Sequence, residues 1–202
     1  MAKKKTRLRR HQADAVRLDL ACGETPLKGF QSVDLFAKKP NHRVDLLAFP
    51  WPWKNGSVDE INCSHFIEHI PMVYVTLTGE YNLMPGVGRV DLLLAFFNEC
   101  GRILRKGGVM KCTWPALQSA RAFWDPTHRR FIPPQTMQYL GKGWREASKL
   151  DHYLGVTCDL LAEVCPTVDG QELLRAPEVS QSRVTHMWNV AQDWVATLRK
   201  VK

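Results

Sequence analysis

No run of 18 apolar residues occurs in this 202-residue chain, so no segment is long and greasy enough to cross a bilayer as a helix. The first thirty residues begin basic but contain no apolar segment of the kind a secretory signal needs, and we expect a soluble, cytoplasmic protein with no membrane partner. The six cysteines, Cys22, Cys63, Cys100, Cys112, Cys158 and Cys165, form no C-x-x-C pair and show no Cys/His spacing suited to zinc. Reduced, mostly buried thiols and no metal ion are therefore expected. Internal repeats are absent, and so are acidic residues in the first ten positions, where Lys3, Lys4, Lys5, Arg7, Arg9 and Arg10 supply six charges of the net +8 and leave +2 for the rest. The basic character thus belongs to a flexible tail, residues 1–14, and a solvated tail is favoured over a phosphate-binding arm. Residues 15–202, in a chain 45% hydrophobic, are expected to form one domain with a core that needs no disulfide or metal staple.

What is present is a series of short apolar runs ending in small or polar residues. Val16–Leu20, Ser32–Leu35, Arg43–Leu46 and Val58–Ser64 are strand candidates, separated by turns such as Lys54-Asn55-Gly56. Strands of this kind suit a parallel sheet covered on both faces, with its functional groups at the carboxyl ends. Val90, Leu93, Phe97, Cys100 and Leu104 recur at helical spacing and predict a helix over Val90–Leu104, terminated by Gly107-Gly108. Val109–Trp114 comes next as a fifth strand, completing a right-handed crossover. Gln135–Leu140 reads as a short helix, and Asn189–Val201 fits a helix or a closing strand equally. Pro71–Gly88 is long enough for a lid over a site, or for an ordinary connection.

Three acids end successive strand candidates: Asp19, Asp34 and Asp45. Gly23 lies just past the first, where the backbone must turn tightly. Acids in a row at one sheet edge repel phosphate but suit ribose hydroxyls, amines and positive charge. The glycine-rich fingerprint of a dinucleotide-binding oxidoreductase is missing, which disfavours that class.

Asp19-Leu20-Ala21-Cys22-Gly23, Val33-Asp34-Leu35 and Val44-Asp45-Leu46 resemble the first three motifs of the class I methyltransferases that use S-adenosylmethionine. Ser57-Val58-Asp59-Glu60-Ile61 with Ser64-His65-Phe66-Ile67-Glu68-His69-Ile70 is similar to that family's fourth strand and the helix after it, and Glu99–Gly108 to its approach to the fifth strand. Asp125-Pro126-Thr127-His128-Arg129 is similar to a loop in a subset of these enzymes. The resemblance covers roughly Arg17 to Leu140 and implies an α/β fold with a doubly wound, mostly parallel sheet of the seven-stranded, Rossmann-like type. It also implies roles. Asp19, Ala21, Gly23, Asp34, Leu35, Asp45, Leu46 and Ser64 would contact S-adenosylmethionine, with Asp34 on the ribose hydroxyls, Asp45 and the Leu46 amide on adenine, and Phe49–Trp53 either walling the ring or forming a rigid turn on the core. The family usually has glycine where this chain has Ala21.

The reaction implied is in-line displacement of a methyl group from sulfonium, which needs alignment more than covalent chemistry. His65, His128 and Asp125 are the acid–base candidates at the acceptor, and Arg129 a candidate for an acidic substrate group. Glu68 and His69, at helical spacing, read more readily as structural. A small-molecule or sugar acceptor is favoured, with nucleic acid reached through the basic tail as a second class of partner. The rival from another class is a non-catalytic binding protein of the same fold, acting on nucleic acid or a protein through that tail.

Overall fold

The computed structural model describes residues 15–76, 80–82, 88–152, 155–169, 171–172 and 181–202. The tail, residues 1–14, lies outside them. Seven strands form the main sheet: β1 (Arg17–Leu20), β2 (Gln31–Val33), β3 (Val58–Ser64), β7 (Leu104–Pro115), β8 (Leu160–Val168), β9 (Gln171–Glu172) and β10 (Asp193–Lys200). Their order is β2-β1-β3-β7-β10-β8-β9. β2, β1, β3 and β7 run parallel, and β10, β8 and β9 continue antiparallel, so five of the seven strands point the same way. The order reverses at β1, where the chain leaves toward β2 on one side and returns to β3 on the other, which is the doubly wound pattern.

Alternation along the strands separates two environments. Ile61 and Cys63 on β3, Met110, Cys112 and Trp114 on β7, and Ala196 and Leu198 on β10 are buried. They share a core with α1 (Leu92–Ile103), the longest helix among the described residues, whose Phe96, Phe97, Cys100 and Ile103 are likewise shielded from solvent. Lys111, Leu161, Glu163 and Arg199 occupy the intervening positions and are exposed. The expected cover on both faces therefore does not extend over the β7–β10–β8 half, where antiparallel pairing tolerates a wet side.

Two boundaries differ from expectation for identifiable reasons. Helix α1 starts two residues late because Asp91 caps it, its carboxylate accepting from the Leu93 amide at 2.9 Å. Before it, Tyr74–Thr76 (β4) and Tyr81–Asn82 (β5), within the lid candidate, form a small antiparallel sheet with Arg89–Asp91 (β6), just after it; the candidate's residues 77–79 and 83–87 lie outside the described set. At the other end α1 stops at Ile103, and Gly107-Gly108 is not its cap: both glycines lie inside β7, where the register against β3 slips between Val58 and Glu60. Gly107 has φ +72°, and a β-carbon on Gly108 would stand 2.8 Å from the Arg105 carbonyl. The Asn189–Val201 segment resolves as the closing strand β10, and Gln135–Leu140 as a 3₁₀ helix, Pro134–Leu140, leading to α3 (Lys142–Ala147).

Close packing makes one position sharply testable. A β-carbon on Gly101 of α1 would sit 2.6 Å from the Cys158 β-carbon. Gly101→Ala should cost about 1–3 kcal/mol in denaturant unfolding despite alanine's better helix propensity. Because the clash is with Cβ, Cys158→Ala should not relieve it and Cys158→Gly should.

Candidate functional site

The carboxyl ends of β1, β2, β3 and β7 gather on one edge of the sheet, and Asp19, Asp34 and Ser64 lie at or just past such ends. Asp19, buried near the end of β1, accepts from the Leu27 amide at 2.7 Å through Oδ2 and from the Asn62 side-chain amide at 2.7 Å through Oδ1. It thus closes the loop after β1 and ties it to β3. Ala21 opens that loop with φ +53° while its amide pairs with the Val33 carbonyl. A left-handed alanine is strained by about 1–2 kcal/mol, which is the cost of having a side chain where glycine would fit freely. Gly23, also left-handed, has nothing within 4 Å of where a β-carbon would point, so the loop backbone borders open space.

Asp34, just past β2, organises both flanks. Its Oδ2 accepts from the Gly23 amide at 2.9 Å, and its Oδ1 from the amides of Phe36 and Ala37 at 2.7 and 2.8 Å. Burial pushes this carboxyl up, but the Ala37, Phe36 and Gly23 amides, aided by Arg43, outweigh it and hold it below its ordinary value. The stability it contributes is complete above the ordinary value of 3.8 and is lost as pH falls through the lowered one. Below about pH 4 the wild-type unfolding midpoint should therefore fall more steeply than that of Asp34→Ala, a difference thermal scans across pH would read. Leu35 is exposed beside it.

The third acid is placed differently. Arg43–Leu46 is not a strand: the only pairing there is an isolated bridge between Val33 and His42. Arg43 spends its guanidinium on the carbonyls of Leu35, Ala37 and Lys38, and Asp45 is exposed, its Oδ1 accepting from the Leu47 amide at 2.9 Å. Leu46 is buried. In the Phe49–Trp53 run, Trp51 is buried against Phe96 with ring centroids 5.5 Å apart, so the rigid-turn alternative holds at its centre.

A second group lies at the end of β3. Ser64 is exposed, and His65 after it has φ +52°. His65 Nδ1 lies 3.2 Å from Glu68 Oε1, and that hydrogen bond raises the histidine pKa against the opposing effect of burial. Glu68 and His69 belong to a single 3₁₀ turn, Ile67–His69, rather than to a longer helix. The loop after α2 (Arg121–Trp124) folds back onto it, the amides of Arg129 and Arg130 both donating to the Glu68 carbonyl at 2.7 and 3.0 Å. This brings His128 against His69, ring centroids 4.8 Å apart. Asp125 accepts from the Thr127 hydroxyl at 2.6 Å and its amide at 2.7 Å, contacts that hold this exposed carboxyl below the usual range. Arg129 is exposed, and its guanidinium donates to the Pro126 carbonyl at 3.3 Å.

In overall shape the chain is similar to a SAM-dependent methyltransferase from Archaeoglobus fulgidus, at 16% identity and TM-score 0.55, over 92% of this chain and 86% of that one. It is similar at 13% identity and TM-score 0.52 to an S-adenosylmethionine-dependent methyltransferase from Clostridium acetobutylicum, over 94% and 85%. The chain has the class I methyltransferase fold. A small RNA methyltransferase shares it at 15% identity and TM-score 0.50, over 94% of this chain and 23% of that longer one. No family model and no curated protein matches the sequence.

Within that fold His65 and the loop that carries His128 both hydrogen-bond to Glu68, Asp34 holds the Gly23 amide, and Asp45 accepts from the Leu47 amide. Asn62 was missed from sequence because a mid-strand asparagine carries no motif; its role comes from register, opposite Asp19. The grouping of Glu68 and His69 with His128 was also missed, since 59 residues separate His69 from the partner that the loop returns to it.

Proposed function

We propose that the chain is an S-adenosylmethionine-dependent methyltransferase acting on a small-molecule or sugar acceptor. The observation that carries this reading is the paired anchoring of the β1 loop by Asp19 and Asp34 beside the open space at Gly23. The donor set suits the ligand: Asp19 for the amino group, Asp34 for the ribose hydroxyls through the one lone pair that Oδ2 keeps, and Asp45 with the Leu46 amide for adenine. When bound, S-adenosylmethionine supplies an electrophilic methyl group on a sulfonium centre. Ala21 and Gly23 hold the loop backbone against the methionine portion, and Ser64 sits at the neighbouring strand end. His65 and His128 face the acceptor side as acid–base groups, Asp125 orients Thr127, and Arg129 offers a cation to an acidic acceptor. Beside that loop Phe123 stacks on Phe131 at 4.7 Å and leans on Trp188 at 5.9 Å, and all three are exposed. Such a ledge suits the apolar face of a sugar or another flat acceptor.

Isothermal titration of the full chain with S-adenosylmethionine and with S-adenosylhomocysteine tests the reading. Micromolar binding of both is expected, and absence of binding by folded protein would sink it.

A further inference from the structure

We propose that Glu68, His69 and His128 form a binding site for a divalent zinc ion. One ligand atom from each lies within 4.8 Å of the others. The hydrogen bonds around them prepare each group to coordinate. The His128 Nδ1 lies 2.9 Å from the Ala122 carbonyl, which only accepts, so that nitrogen carries the proton and Nε2 keeps a lone pair. The Thr127 hydroxyl donates to Asp125, so its oxygen accepts from His69 Nδ1 at 3.0 Å, and His69 too is left with a basic Nε2. Glu68 is paired on one side only: Oε1 meets His65, whereas Oε2 is buried without a hydrogen-bond partner, on a side chain only 2% exposed. A buried carboxylate oxygen left unpaired is costly, and a cation beside it removes that cost.

The arrangement has the parts of a zinc site with an open position. Two imidazoles and one carboxylate are a known catalytic donor set, and ligating histidines usually give their other N–H to a carbonyl or a carboxylate relay, as His128 and His69 do here. Zinc–ligand bonds of about 2.0–2.2 Å imply ligand atoms about 3.5 Å apart, so the separation must close by roughly 1 Å. Both imidazoles are only half-buried and sit on short connecting segments. The inference does not depend on methyl transfer. If the reading above holds as well, the metal would take the place of His128 in favouring the ionised acceptor, and His65 would be left as the acid–base group.

The experiment is titration of chelator-stripped full-length protein with zinc chloride, monitored by calorimetry, and with cobalt(II) chloride, monitored by visible absorption. A background carrying Cys22→Ser and Cys165→Ser removes the two half-exposed thiols as competing ligands. One equivalent of zinc and a ligand-field spectrum without a thiolate charge-transfer band are expected. His69→Gln and His128→Gln should each weaken zinc binding about 100-fold or more, and Thr127→Val, which removes the hydroxyl between Asp125 and His69, about tenfold. Circular dichroism and S-adenosylmethionine titration of the same variants separate a lost metal site from a lost fold or a failed cofactor reading. Substoichiometric zinc, or affinity unchanged in both histidine variants, would overturn the proposal.

Discussion

Glu99→Ala is expected to lose about 3–5 kcal/mol of stability, a large part of the roughly 5–15 kcal/mol that holds a domain folded. Glu99 lies on α1 with its side chain nearly buried, and its Oε1 accepts from the Trp51 amide at 2.6 Å while Arg102 binds both of its oxygens. Arg102 in turn donates to the Trp53 carbonyl at 2.8 Å, the Trp51 carbonyl at 3.1 Å and the Asn55 side chain at 2.7 Å. Removing the carboxylate leaves the Trp51 amide without its acceptor and the Arg102 guanidinium without its counter-charge. The run Phe49–Trp53 is then tied to the helix only by the Arg102 donations to the Trp51 and Trp53 carbonyls and by the packing of Trp51 on Phe96. Glu99→Gln should fall between, because its oxygen can still serve the Trp51 amide while its NH2 opposes Arg102. Denaturant unfolding measures both, and a loss below about 1 kcal/mol for Glu99→Ala would show that the clamp contributes little.

The strands that could be read from sequence are those whose apolar residues pack on both neighbours. Val58–Ser64 is a strand throughout, and Leu18, Leu20 and Val33 are buried as their runs imply. Arg43–Leu46 shows why pattern alone fails. Its alternation is that of a strand, but the Arg43 guanidinium is drawn to three backbone carbonyls and Asn41 reaches back to Ser32, so pairing ends after one bridge at His42. Side-chain hydrogen bonds to nearby backbone replaced the ladder there. The glycine pair after α1 misled for the opposite reason: Gly107 does adopt the left-handed conformation, but it serves a bulge in β7, which only the β3 register makes visible.

The loop after β1 was legible because Asp19 and Asp34 lie at or just past strand ends and the segment between them is local in sequence. The contact between His69 and His128 was not. His128 meets His69 only because two loop amides, Arg129 and Arg130, find the Glu68 carbonyl, and Arg130 further pins the turn by donating to the Ile70 carbonyl at 2.8 Å and pairing with Asp91. Nothing in the periodicity of either segment announces that contact. An aspartate with threonine two positions on and then histidine, set against a glutamate–histidine pair, is the signal that would have found it.

Variants of Asp34 separate loop architecture from the cofactor recognition proposed for it. Asp34→Asn should keep the turn after β2, since one oxygen can still accept from the Phe36 and Ala37 amides, but its NH2 would face the Gly23 N–H and release the β1 loop. We expect S-adenosylmethionine affinity to fall about 10- to 150-fold, equivalent to about 1.5–3 kcal/mol for hydrogen bonds to a charged group, with the unfolding midpoint little changed. Asp34→Ala should lose a similar amount of affinity and also destabilise the fold, because three amides then have no acceptor. Calorimetry on the two variants beside their unfolding curves distinguishes the effects. Wild-type affinity in Asp34→Asn would remove Asp34 from the ribose site and leave it as the clasp between two loops; a loss of binding at unchanged stability would fix the carboxylate's second oxygen as the group on which both loop closure and ligand capture depend.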